Sequence, residues 1–214
     1  MYTFQTPAPI AVTVDVLSAG VTVIASDRSD TVVEVKPADA SKKADVRAAE
    51  QTKVEFSDGI LTVTASKNWR THTPFGGNPS IEVTIEVPTG SELTGTAGVG
   101  RLLGVGELGR CDLTVSLGDI AVERPQGSVT AKTAKGNIRI GEAARGEFRL
   151  ETSSGELEVG ISPASAVRLE TSTTLGAVRN LMEPVASAHD TADTVQVYAR
   201  NALGNIIIRH TAAA

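Results

Sequence analysis

Aromatic residues are scarce in this chain, only 3% of 214 positions, and there is a single tryptophan and a single cysteine. With few large rings to fill a globular interior, the core must be built from many small contributions. One cysteine excludes an intrachain disulfide framework. Basic residues are not in excess: 20 Lys and Arg stand against 25 Asp and Glu, a net charge of -5. A nucleic-acid binder needs a basic footprint to displace counterions, so that class is set aside. No run of about 18 apolar residues exists to span a bilayer as a helix. The start, Met1-Tyr2-Thr3-Phe4-Gln5, shows no cationic segment leading into an apolar one. The expected location is therefore cytoplasmic by default, with leaderless export as the alternative.

The usual signals of chemistry are missing too. His72, His189 and His210 are scattered, with no HxxxH or HxH spacing suited to a metal. There is no GxSxG elbow, no Walker loop and no GxGxxG opening a helix. Gly98-Val99-Gly100 lacks a phosphate-binding context. Cys111 stands where its neighbours have an apolar residue, which describes a buried, inert thiol. No cofactor and no metal are expected.

What the chain has is rhythm. A Gly-x-apolar unit recurs at Gly100-Arg101-Leu102, Gly109-Arg110-Cys111, Gly118-Asp119-Ile120, Gly127-Ser128-Val129 and Gly136-Asn137-Ile138. It goes on at Gly146-Glu147-Phe148, Gly155-Glu156-Leu157, Gly176-Ala177-Val178 and Gly204-Asn205-Ile206. A short fixed period means that one unit is being stacked. Alternate glycines lie 18, 18, 19 and 21 residues apart from Gly100 to Gly176. Between them apolar and polar residues alternate, the period-2 pattern of a strand with one buried face. Two short strands per rung, each ending in a turn, predict an all-β, two-sided β-solenoid with rungs of about 18–21 residues.

In that register Val129, Phe148 and Val167 form one inward column, and Ile138, Leu157 and Val178 the facing one. Outward, Lys132, Glu151 and Glu170 align, as do Thr130, Arg149 and Arg168, so that opposite charges interleave. Thr133, Thr152 and Thr171 make a third column near a turn, where hydroxyls can satisfy backbone groups.

Residues 1–88 alternate less regularly, through Ile10–Val16, Val21–Val23, Thr31–Val35, Lys53–Phe56, Ile60–Thr64 and Ile81–Val87, with one short helix expected between Asp39 and Gln51. They read as a β region that caps or extends the solenoid of residues 89–214, with a separate sandwich as the alternative. Pro88, which cannot donate to a ladder, marks the join.

Two stretches break the pattern. Ala65 to Ser80 carries Trp69, Arg70, His72 and Phe75, a candidate interaction loop; Asn180 to Thr194 carries Leu181, Met182, Pro184, Val185 and His189. The last rung in chain order ends in Ile206, Ile207 and Ile208, a candidate surface for end-to-end contact.

The nine-residue half-period invites comparison with calcium-binding nonapeptide rolls, but no aspartate occurs between Asp119 and Asp190. Calcium needs six to eight oxygen ligands, and these turns do not supply them. Val83-Thr84-Ile85-Glu86-Val87-Pro88, Ser91-Glu92-Leu93 and Glu151-Thr152-Ser153-Ser154-Gly155-Glu156-Leu157 resemble a bacterial β-strand-repeat family of unknown function labelled "putative adhesin". The resemblance covers most of the chain and implies a β-solenoid; its motif specifies a fold and carries no site residues.

Three functions compete. A non-enzymatic adhesin-like module would bind a protein or glycan through a flat wall or the Trp69 loop. A self-assembling scaffold would stack end to end, as in the bactofilins, which are similar in their short Gly-x-apolar rungs. A carbohydrate-active enzyme, the least favoured, would need Glu151, Glu158 and Glu170 gathered in one groove.

Overall fold

A computed structural model describes residues 1–65, 79–182 and 193–211. Among these residues the chain forms 17 strands and one helix. The first part holds β1 (Tyr2–Gln5), β2 (Ala11–Ser26), β3 (Asp30–Pro37), α1 (Lys43–Gln51), β4 (Lys53–Ser57), β5 (Ile60–Thr64) and β6 (Ile81–Pro88). There follow β7 (Glu92–Leu108), β8 (Cys111–Leu117), β9 (Ile120–Pro125), β10 (Val129–Lys135), β11 (Ile138–Ala143), β12 (Gly146–Ser154) and β13 (Leu157–Ile161). The last four are β14 (Ala166–Leu175), β15 (Val178–Asn180), β16 (Thr194–Leu203) and β17 (Ile206–His210). The helix is shorter than expected because Asp39 forms a turn instead: its carboxylate accepts the Ser41 N–H at 2.9 Å and hydroxyl at 2.7 Å.

The fold is the expected two-sided β-solenoid. Each rung places one strand in each of two mostly parallel ladders. The first ladder runs β4, β5, first half of β2, first half of β7, β8, β10, β12, β16, β14. The second runs β1, β3, β6, then the second halves of β2 and β7, and on through β9, β11, β13, β17, β15. Pairing of β2 with β7 carries both ladders across the join marked at residue 88.

The core is built of stacked columns, and two of them run through nearly every rung. Leu61, Val12, Leu93, Cys111, Val129, Phe148 and Val197 lie in register on the first ladder, each no more than 3% exposed. Val83, Val21, Leu102, Ile120, Ile138, Leu157 and Ile206 face them, no more than 2% exposed. Burying one such aliphatic side chain is worth about 1.5–3 kcal/mol, so columns made mostly of aliphatic residues supply what scarce aromatics do not.

Cys111 sits inside the first column. Burial, with the Glu92 charge adding to it, pushes its thiol pKa up to about 12. The unfolded thiol ionises near 9 and the folded one does not, so this contribution to stability is complete below about pH 9 and is lost as pH rises toward about 12. At pH 8 the native protein is expected to resist iodoacetamide, and to alkylate once denatured. Mass spectrometry with and without urea checks this; rapid native labelling would contradict the burial.

The corners explain the glycine beat. Where the first ladder turns into the second, Gly100, Gly118, Gly136, Gly155, Gly204 and Gly176 stack, each with positive φ. A Cβ on Gly118 would lie 1.5 Å from the Gly100 carbonyl oxygen, and one on Gly155 1.8 Å from that of Gly136. Rungs close up there only without side chains. Thr133 and Thr152 donate hydroxyls to the Gly118 and Gly136 carbonyls at 3.1 Å, and the Asn201 amide donates to Gly155 O at 3.0 Å. Residues after the glycines form a second ladder: the Asn137 N–H donates to Asp119 Oδ1 at 2.7 Å, and the Glu156 N–H to Asn137 Oδ1 at 2.9 Å. The opposite corner is uneven: a Cβ on Gly127 would meet nothing closer than 3.1 Å, whereas one on Gly109 would lie 2.6 Å from the Gly90 carbonyl oxygen and Gly146 has positive φ.

Several expectations need correction. Stacking order does not follow chain order at the C-terminal end: β16 and β17 insert between β12–β13 and β14–β15. Ile206, Ile207 and Ile208 are thus paired on both sides, Ile206 to Leu157 and to Val178, and Ile206 and Ile208 are 0% exposed. They lie inside the stack, and the candidate end-to-end contact at these residues has no free end to use. Nor does Val167 stack on Phe148. Phe148 meets Val197, and Val197 meets Leu169. The turn at Ser162–Ser165, closed by the Ser165 N–H donating to Ser162 O at 3.1 Å, holds the extra residues behind this two-residue offset. By the same offset, Thr173 replaces Thr171 in the corner column and Ser172 replaces Glu170 beyond Glu151.

Candidate binding groove

The insertion of β16 brings together outward side chains that are far apart in sequence. Strand alternation fixes which they are: Gln196, Tyr198 and Arg200 point out while Val195, Val197 and Ala199 are buried. Register sets Arg149 beside Tyr198 beside Glu170, and Glu151 beside Arg200 beside Ser172. Lys132 on β10 faces Glu151. Together they line a groove of about 740 Å³ on the outer face of the first ladder, over β10, β12, β16 and β14.

Its charges are mostly matched. Lys132 pairs with Glu151 at 3.4 Å and Arg168 with Glu170 at 3.6 Å. Arg149 is bound to Glu147, which holds its guanidinium even more firmly protonated. The Arg149 guanidinium carbon also lies 4.8 Å from the Tyr198 ring centre, in cation–π range. Arg200 is different: among the described residues it makes no ion pair.

The three glutamates of the enzyme reading are not gathered. Glu158 is on the second ladder, held by Arg209 at 2.9 Å and Arg139 at 3.5 Å. Glu151 and Glu170 are on strands separated by β16, each with its own cation. A glycosidase needs two carboxyl groups about 5–10 Å apart across one cleft with different protonation states; these carboxylates are each held in an ion pair instead. No group of three or more His, Cys, Asp or Glu suited to a metal occurs among the described residues. Trp69, Arg70, His72 and Phe75 lie outside the described residues, as does His189.

Sequence reading placed Arg149, Glu151, Glu170 and Lys132 on an outer wall but missed Tyr198 and Arg200. The alternation Val195-Gln196-Val197-Tyr198-Ala199-Arg200 carries the signal for an outward Tyr and Arg. Nothing local says which rung they join.

Comparison with known proteins bears on the fold. A family model described as Toastrack DUF4097 matches residues 10–181. A solved structure from Clostridium sporogenes, titled a "putative cell adhesion protein", is 14% identical, with 98% of each chain covered and a TM-score of 0.57. Two structures from Parabacteroides distasonis, titled "putative lipid binding protein" and "putative adhesin", are 10% and 11% identical. Each covers 98% of this chain and 95% of its own, at TM-scores of 0.33 and 0.32. No curated protein matches.

Proposed function

The chain belongs to the Toastrack DUF4097 family, and from that premise we propose that it is an adhesin-like binding module whose groove over β12, β16 and β14 receives a glycan or protein partner. A fold of this kind hosts functions rather than defining one, so the reading rests on the groove. The observation that carries it is the company Arg200 keeps: a guanidinium with no counter-ion among the described residues, beside Tyr198, in a groove whose other charged side chains are ion-paired within the protein. Arg200 offers several donors in a fixed fork, suited to a carboxylate or a vicinal diol pair. Tyr198 adds a flat apolar surface with a hydroxyl at its tip. Carboxylates held in ion pairs are poor proton shuttles and good walls.

A glycan array and a pull-down, run with wild type, Tyr198→Ala and Arg200→Ala, test the reading. A hydrogen bond to a charged group contributes about 1.5–3 kcal/mol, so Arg200→Ala is expected to weaken binding about tenfold or more. Circular dichroism should be unchanged, because both side chains point outward. Equal binding by all three proteins would remove the groove as the site.

A further inference from the structure

The two ends of the solenoid are finished differently. At the N-terminal end the outermost strands, β4 and β1, are five and four residues long and pair antiparallel to their neighbours. Phe4 and Phe56 meet there with ring centres 5.1 Å apart, and Ala48 and Ala49 of α1 pack on the core. Short edges with charged side chains, here Lys53 and Glu55, blunt strand addition. At the other end β14 runs ten residues and pairs only with β16; among the described residues no strand lies on its far side. Among the described residues both core columns stop there without a further layer. Leu169 and Val167 are half-buried, Val178 is 44% exposed, and Leu175 and Leu181 are 65% and 61% exposed.

We propose that this edge is closed by a second copy of the chain, two β14 strands pairing antiparallel across a two-fold axis at Leu169. The charge pattern singles out that arrangement. With Leu169 opposite its own image, Arg168 of each copy stands directly across from Glu170 of the other, and Val167 across from Thr171. Opposite charges facing across an antiparallel pair are favourable, and like charges there are not. An isologous contact of this kind is self-limiting: it uses the one long open edge that the described residues present and leaves the short antiparallel strands β1 and β4 outside. The product is a dimer, where a filament would need a long open edge at both ends. The inference is independent of the groove's ligand, since its readout is oligomeric state alone.

Sedimentation equilibrium over a concentration series, on wild type, Arg168→Glu, Glu170→Arg and the double variant, tests it. Each single change puts two like-charge pairs at the axis and is expected to weaken dimerisation about tenfold. The double variant restores both pairs and should return to the wild-type constant. All three changes are outward on β14, and circular dichroism establishes that each variant is folded. A wild type that stays monomeric throughout, species growing beyond the dimer, or a double variant no tighter than the singles would each overturn the proposal.

Discussion

Replacing Gly118 with alanine is expected to cost about 3–5 kcal/mol, near the top of the range for single substitutions. The new Cβ would lie 1.5 Å from the Gly100 carbonyl oxygen, a backbone atom that cannot rotate aside. Gly118 also has φ of +141°, where a side chain adds its own strain. Relief requires the Gly100 and Gly118 rungs to separate, and that pulls on the hydrogen bond from the Leu102 N–H to Asp119 O, 3.0 Å long, and on the pairing of Val99 with Leu117. Gly127→Ala is the control. It belongs to the same sequence rhythm but the opposite corner, without positive φ and with 3.1 Å of clearance, and should cost about 1 kcal/mol or less. Urea midpoints of the two variants decide the matter; equal losses would mean that the two positions do not differ.

Ending the chain after Asp193 is expected to have a larger effect still. In an ordinary solenoid, losing a terminal repeat removes one interface and leaves the rest standing. Here residues 194–211 form an interior rung. Without them β14 and β15 lose the only strand partners they have among the described residues, and Phe148, Leu150, Leu157 and Val159 lose the layer that covers them. At about 1.5–3 kcal/mol for each buried side chain, the loss is comparable to the whole stability of a domain. The truncated protein should bind a hydrophobic dye, unfold without a sharp transition and be cleaved readily within 166–182. Protection of that segment at wild-type levels would refute the inserted arrangement.

Much of this was legible in the chain. Gly-x-apolar spacing gave the two-strand rung, the inward residues and the inert Cys111. It even held the right register for the last matched rung: 21 residues separate Gly155 from Gly176, and 21 residues beyond Phe148 is Leu169. Apolar alternation at 19 residues pointed to Val167 instead, because a strand pattern repeats every two residues and is blind to a two-residue slip. The insertion of β16 and β17 was not legible at all. Periodicity reports that a segment is a rung; it carries no address for that rung in the stack. Tyr198 and Arg200 were missed for that reason, since their neighbours Arg149 and Glu151 lie 49 residues away in sequence. The glycines of the beat also look alike as sequence, and only backbone approach and φ separate the strict positions, such as Gly118, from the tolerant Gly127.

The inserted rung has a consequence for how the protein is made. During synthesis residues 166–182 leave the ribosome before residues 194–211, yet they have no place to dock until those later residues arrive. The same holds at the other end, where β2 emerges long before β5, β6 and β7, the strands on either side of it. A nascent chain therefore cannot lay its rungs down one after another as they appear. Its first and its late segments must both wait, with apolar faces uncovered, for partners that the ribosome delivers afterwards.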